Sequence, residues 1–147
     1  MTTASLPLET IHEIRDSCLC LASQRAARLL ARRFDKLFAP LGLTNGQFSL
    51  MMALSGQWKP RLGELAEFLA MDATTVTAAV KTLERSGMLM LAPDEKDARA
   101  RRPSLTQKGH DALALAVPMW CAEHARVQDG LQGIDAAKLA LDLAQLR

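Results

Sequence analysis

Residues 62–105 constrain this chain more than any other stretch. Leu62, Leu65, Ala66 and Leu69 fall at i, i+3, i+4 and i+7, the spacing of one buried helix face. Ala70-Met71-Asp72 interrupts that pattern. Asp72 is a good N-cap for a second helix over 73–86, and Gly87 stands where a helix is commonly closed. Met88 to Ala92 is short and apolar, consistent with a strand, and Pro93 to Asp97 reads as a turn. Residues 102–105 then return as a second strand. Two short helices with a tight break, followed by a hairpin with a basic loop, make a winged helix-turn-helix pattern.

The chemistry of helix 73–86 agrees with that geometry. Val76, Ala79, Val80 and Leu83 form its inner stripe, and the opposite face carries Thr74, Thr75, Thr77, Ala78, Lys81 and Arg85. Small side chains let a helix approach a major groove closely. Hydroxyls bond base edges or phosphates, and a methyl can touch thymine. Threonine is a mediocre helix former, so a cluster of it on an outer face is not explained by helix stability. The loop Lys96-Asp97-Ala98-Arg99-Ala100-Arg101-Arg102 adds arginines that can grip phosphates or enter a narrow minor groove. Asp97 is placed to pair with Arg99 or Arg101 and set the loop's shape. The plainer readings are a threonine-rich amphipathic helix and a solvated turn; the two features in series argue against both.

The flanks are helical. Residues 8–39 read as one long helix ended by Pro40, with Ile11, Ile14, Cys18 and Leu21 on a stripe. Thr44 and Gln47 form a capping box that starts another helix, whose predicted inner face is Phe48, Met51, Met52 and Ser55. Thr106 caps a fifth helix to about residue 130, kinked at Pro118, and a last helix spans about 135–146. The expected fold is mainly α: a winged helix-turn-helix with long N- and C-terminal helices, six helices and one β-hairpin in all. Helical flanks, residues 1–40 and 106–147, thus enclose a winged segment, residues 41–105.

Net charge is only +2, but it is unevenly spread. Residues 25–36 hold Arg25, Arg28, Arg32, Arg33 and Lys36 against Asp35 alone, and residues 96–108 hold five cations against Asp97. Charges interrupt every apolar run, so no segment reads as a membrane span. The start, MTTASLPLETIHEIRDS, lacks the pattern of a signal peptide, which leads to a cytosolic expectation with no membrane partner. Three cysteines do not suggest a disulfide scaffold.

The sequence resembles the MarR family (multiple antibiotic resistance regulators). The stretches that carry the likeness are LGLTNGQFSLM at 41–51, LGELAEFLAMDATTVTAAVKTLERSGML at 62–89 and DARARRPSLTQKG at 97–109. The family's wing signature is met by Asp97, Arg99, Arg101, Leu105, Thr106 and Gly109. The resemblance implies a homodimeric repressor gripping a palindromic duplex operator, with residues 1–40 and 106–147 as the helical dimerisation region and residues 41–105 as the DNA-binding region. Thr74, Thr75, Thr77, Ala78 and Lys81 would read the groove and Arg99 would sit at the wing tip; Arg85, Arg101 and Arg102 join them as DNA-binding candidates. One departure is Pro103, which implies an edge position or a shortened strand.

Relatives of this kind release DNA when a small aromatic ligand binds between the dimer base and the reading head. Arg15, Phe48 and Met52 are the candidate pocket residues. An alternative switch is oxidation by peroxide or hydroperoxide. Cys18 resembles the reactive cysteine that hydroperoxide-sensing relatives place near the start of the first helix, although this chain lacks the tyrosines that hold their thiolate. Cys20 and Cys121 complete the redox candidates. A Cys18–Cys20 bond would require the helix to unwind locally, whereas either could meet Cys121 of a second subunit. Free cysteine is also commonly just a small apolar side chain. His12, His110 and His124 show no zinc spacing, and no catalytic motif is present, so no metal, cofactor or enzyme activity is expected. A helical dimer acting through protein partners is the remaining alternative.

Overall fold

The computed structural model describes residues 5–146. The outer ends of the two predicted dimerisation segments, residues 1–4 and 147, lie outside that range. Seven α-helices and a two-stranded sheet follow in order: α1 (Leu8–Ser17), α2 (Leu19–Phe38), α3 (Asn45–Leu54), α4 (Leu62–Phe68), α5 (Ala73–Arg85), β1 (Leu89–Pro93), β2 (Arg101–Leu105), α6 (Gln107–Gly130) and α7 (Ala136–Leu143). A single 3-10 turn, Ala39–Leu41, carries Pro40 out of α2.

The predicted six helices become seven because the first is broken at Cys18. Its ψ of 104° is extended, and its Sγ accepts the Leu21 N–H at 3.4 Å, so it caps α2. The last helix is shorter than the expected 135–146. Thr44 and Gln47 form the predicted capping box. Thr106 caps α6, which runs through Pro118 without ending.

One core joins α2 to the helices and hairpin that follow it. Phe34 and Phe38 of α2 meet Phe48, Leu50, Met51 and Leu54 of α3, with Leu65, Val76, Val80, Leu83, Leu89 and Leu113 completing it. The Phe38 and Phe48 rings stack at 4.5 Å. The predicted inner face of α3 needs correction: Met52 and Ser55 are exposed, while Leu50 and Leu54 are buried. The reason is that α3 packs against α2, α6 and β2, so its buried set wraps around the helix rather than following one stripe.

Helices α1 and α7 contribute no buried residue. Leu8, Ile11 and Ile14 of α1, Leu19 and Leu21 of α2, and Leu139, Leu141 and Leu143 of α7 are all exposed. Among the described residues, no helix is long and apolar enough to cross a membrane.

Candidate nucleic-acid interface

The turn between α4 and α5 is built by backbone groups. Ala70 takes a left-handed conformation (φ 51°), unusual for a residue with a Cβ. That conformation lets the Ala70 and Met71 N–H groups return to the Glu67 and Ala66 carbonyls at 3.0 and 2.9 Å. The chain is thereby turned within three residues, and Asp72 starts α5.

Asp72 accepts the Thr75 N–H at 2.8 Å and also the Thr75 hydroxyl. These bonds, the hydroxyl's first, hold the Asp72 carboxyl below its ordinary range. The Thr75 proton is therefore committed to the cap, leaving only its lone pairs outward. Thr74, Ala78 and Lys81 are exposed and Thr77 is half-buried, and with Ala73 these residues line one shallow depression. Ala78 and Lys81 continue into a second depression with Thr82, Glu84 and Arg85. The predicted reading face is thus a continuous outer surface of α5, backed by buried Val76, Val80 and Leu83.

The wing pairs β1 with β2 in antiparallel register, from Leu89 opposite Leu105 to Pro93 opposite Arg101. Pro103 lies opposite Leu91 and is buried, with pairs continuing on both sides of it. It does not shorten the strand; in a two-stranded ribbon each strand has a free edge on which a missing donor costs no ladder bond. Asp97 shapes the loop, but by accepting the Arg99 backbone N–H at 3.0 Å rather than by pairing with a guanidinium. The Ala100 N–H closes onto the Asp97 carbonyl at 2.9 Å. Arg99 and Arg101 are exposed, and neither side chain has a hydrogen-bond or ion-pair partner among the described residues.

Sequence reasoning missed the group that holds the wing. Asp94 is only 5% exposed. Its Oδ1 accepts the Lys96 and Asp97 N–H groups, both at 2.9 Å, and the Arg61 Nη2 at 3.0 Å. Its Oδ2 accepts from Arg61 Nε at 3.3 Å and from Arg102 Nε. Arg102 also donates to the Lys59 carbonyl. Arg61 precedes α4 and donates its backbone N–H to Glu64 at 2.6 Å. One carboxylate thus ties the wing to the start of α4. The Arg61 guanidinium is the main cause holding the Asp94 carboxyl far below its ordinary value; the Lys96 and Asp97 N–H groups and Arg102 add to it, and burial opposes them. Arg102, expected among the DNA contacts, faces inward to this cluster.

Phe48 and Met52 do line a common apolar cavity, with Ala53, Phe68, Val117 and Trp120. Its volume is about 540 Å³, the size of a small-molecule site. Arg15 is not among its lining residues; it lies exposed on α1 and pairs with Asp16. Cys121 also lines this cavity, whereas Cys18 and Cys20 lie at the start of α2.

The sequence model of the MarR family matches residues 43–100. The chain is 33% identical over 135 residues to the HTH-type transcriptional regulator TtmR of Methylorubrum extorquens (strain PA1), covering 90% of this chain and 67% of TtmR. Its fold is similar to that of the M. tuberculosis transcriptional regulator MosR in complex with DNA, with a TM-score of 0.78 and 35% identity over 88% of this chain and 93% of that one. A mutant MarR from E. coli, complexed with operator DNA, shares the fold at a TM-score of 0.78 and 18% identity, over 91% of this chain and 96% of that one. With its two short helices, threonine-faced α5 and arginine-tipped hairpin in this arrangement, the chain belongs to the MarR family of DNA-binding transcriptional regulators.

Proposed function

We propose that the chain acts as a homodimeric repressor that grips a palindromic operator and lets go when a small aromatic ligand binds. The observation that carries this reading is the outer surface of exposed Thr74, Ala78 and Lys81 with half-buried Thr77, beside a wing whose Arg99 has a free guanidinium. Thr74, Thr77 and Ala78 face base edges, while Lys81 and Arg85 take phosphates further along α5. Thr75, whose hydroxyl proton goes to the Asp72 cap, serves as an acceptor. Arg99 and Arg101 reach the flanking groove, and Arg102 acts by positioning the wing. Residues 41–105 form the reading head. Residues 1–40 and 106–147 form the dimerisation region, a reading supported by the uncovered leucines and isoleucines of α1, α2 and α7. Two-fold symmetry then places the two heads about one helical turn of DNA apart.

The effector enters the cavity between α3, α4 and α6, where Phe48, Met52, Phe68 and Trp120 offer aromatic and thioether surface. α6 itself belongs to the dimerisation region, so filling this cavity biases the spacing of the heads. An effector acts only as far as it binds the two states unequally. Arg99→Ala tests the reading face directly. It is expected to weaken operator binding about tenfold and reduce the salt slope by about 1, with Tm unchanged. An unaltered affinity and slope would remove the wing tip from the interface.

A second reading has its own support. The helix break at Cys18 supplies much of the unwinding that a Cys18–Cys20 disulfide needs. Both sulfurs now accept hydrogen bonds, Cys18 from Leu21 N–H at 3.4 Å and Cys20 from Gln24 Nε2 at 3.1 Å. Oxidation would join the two thiols and reduce one hydroperoxide to an alcohol and water. It would also strip α2 of its cap. Stoichiometric hydroperoxide is then expected to lower operator affinity in the wild type and leave Cys18→Ser unaffected. Equal responses of the two proteins would end this reading.

A further inference from the structure

The basic run of α2 has no part in the interface described above, and its placement is costly. Arg28, Arg32 and Lys36 follow one another at i+4 intervals. Like charges at that spacing repel across successive turns and oppose helix stability. The acid in their midst does not relieve them, because Asp35 turns away to accept the Asn45 N–H at 2.7 Å at the start of α3. Arg32 and Lys36 have no ion-pair or side-chain hydrogen-bond partner among the described residues.

The face they share is concave. Leu29, Arg32, Arg33, Lys36 and Leu37 of α2 form a groove with Glu123 of α6, about 550 Å³ in volume. Arg33 donates to Glu123 Oε1, and Arg126 donates to Glu123 Oε2 at 2.7 Å. Glu123 is nearly buried, with 12% of its side chain exposed. The groove thus holds three cations, two leucine walls and a single carboxylate already shared between two arginines.

We propose that this groove binds a small organic polyanion, gripped by Arg32, Arg33 and Lys36, with its apolar body against Leu29 and Leu37. The Arg33 fork is suited to a phosphate or a carboxylate and can exchange Glu123 for the ligand. The Glu123 charge in the groove disfavours a duplex backbone lying along it. A compact anion can enter beside the carboxylate, and Arg126 stays behind to neutralise it. It shares no lining residue with the α5 face or the apolar cavity.

Titration calorimetry on the full chain, with inorganic pyrophosphate and citrate as probes, tests the assignment. Saturable binding is expected in the wild type. The double substitution Arg32→Ala/Lys36→Ala should weaken it at least about tenfold, since two charge-assisted contacts go. Lys81→Ala/Arg99→Ala, which cripples operator binding if the proposed function holds, should bind the probe like wild type. Glu123→Gln should bind it more tightly by freeing Arg33; a merely structural role for the ion pair would give no gain. A preference for pyrophosphate assigns a phosphorylated ligand, and a preference for citrate a polycarboxylate. The site is refuted if neither probe binds, or if binding is lost with Lys81 and Arg99 rather than with Arg32 and Lys36. It is equally refuted if the Arg32/Lys36 pair weakens duplex binding alone.

Discussion

Gly109→Ala is expected to destabilise the protein by about 3 kcal/mol, the upper end of what overpacking a tight site costs. A Cβ built on Gly109 lies 2.2 Å from the Met88 carbonyl oxygen and 3.0 Å from Leu105 Cδ2. The nearer obstacle is backbone, so it cannot swing aside. It is also engaged: the Met88 carbonyl accepts the Thr106 N–H at 3.1 Å. The Thr106 hydroxyl donates to the Gly87 carbonyl at 2.6 Å and accepts the Gly109 N–H at 3.1 Å, and Lys108 Nζ reaches the Ser86 carbonyl at 2.6 Å. These bonds draw the first turn of α6 onto the end of α5 and the start of β1. A methyl at 109 must push them apart, and the better helix propensity of alanine, about 1 kcal/mol, does not offset that. Thermal unfolding should show Tm lowered by about 10 °C for a chain of this size. Gly63→Ala is the matched control. Nothing lies within 4 Å of a Cβ there, so it should raise stability by about 0.5 kcal/mol. Equal Tm values for the two variants would show that α6 does not need its close approach.

That contact explains part of why the wing motif was legible. Leu105, Thr106 and Gly109 are close in sequence and act on one helix start, so a local pattern carries them. The same holds for Asp72 capping α5 and for Thr44 with Gln47, since each cap closes within a few residues. The helix break at Cys18 left no such mark. Ile14, Cys18 and Leu21 keep helical spacing across it, and neither glycine nor proline stands there. Arg15, a pocket candidate by the family resemblance, instead pairs with its neighbour Asp16. Phe48 and Met52 reached the cavity because they lie one turn apart on α3. Phe68 and Trp120 join them only through the packing of distant segments.

Asp94 shows the limit most plainly, and it carries the second large expectation. In the run Pro93-Asp94-Glu95-Lys96-Asp97 it reads as one more turn acid. Its partner Arg61 lies 33 residues upstream, and nothing local marks either as buried or paired. Asp94→Ala should uncouple the wing from α4. The Lys96 and Asp97 N–H groups lose their acceptor, and Arg61 and Arg102 are left facing each other without a counter-charge. Operator affinity should then fall at least as far as for Arg99→Ala, about tenfold or more, even though Asp94 is too buried to touch DNA. Asp94→Asn separates the two contributions, because an amide oxygen still accepts from the loop while the charge is gone. The pH dependence follows from the sign of the shift. The native carboxyl lies well below 3.8, so the unfolded chain takes up its proton first as pH falls. The stability Asp94 contributes is therefore fully present above about pH 4 and is lost progressively in more acid solution. Wild type should lose Tm steeply below that pH, and Asp94→Asn, already less stable at neutral pH, should lose less. If the two acid limbs run parallel, the charge on Asp94 does not hold the wing, and its role reduces to that of a hydrogen-bond acceptor.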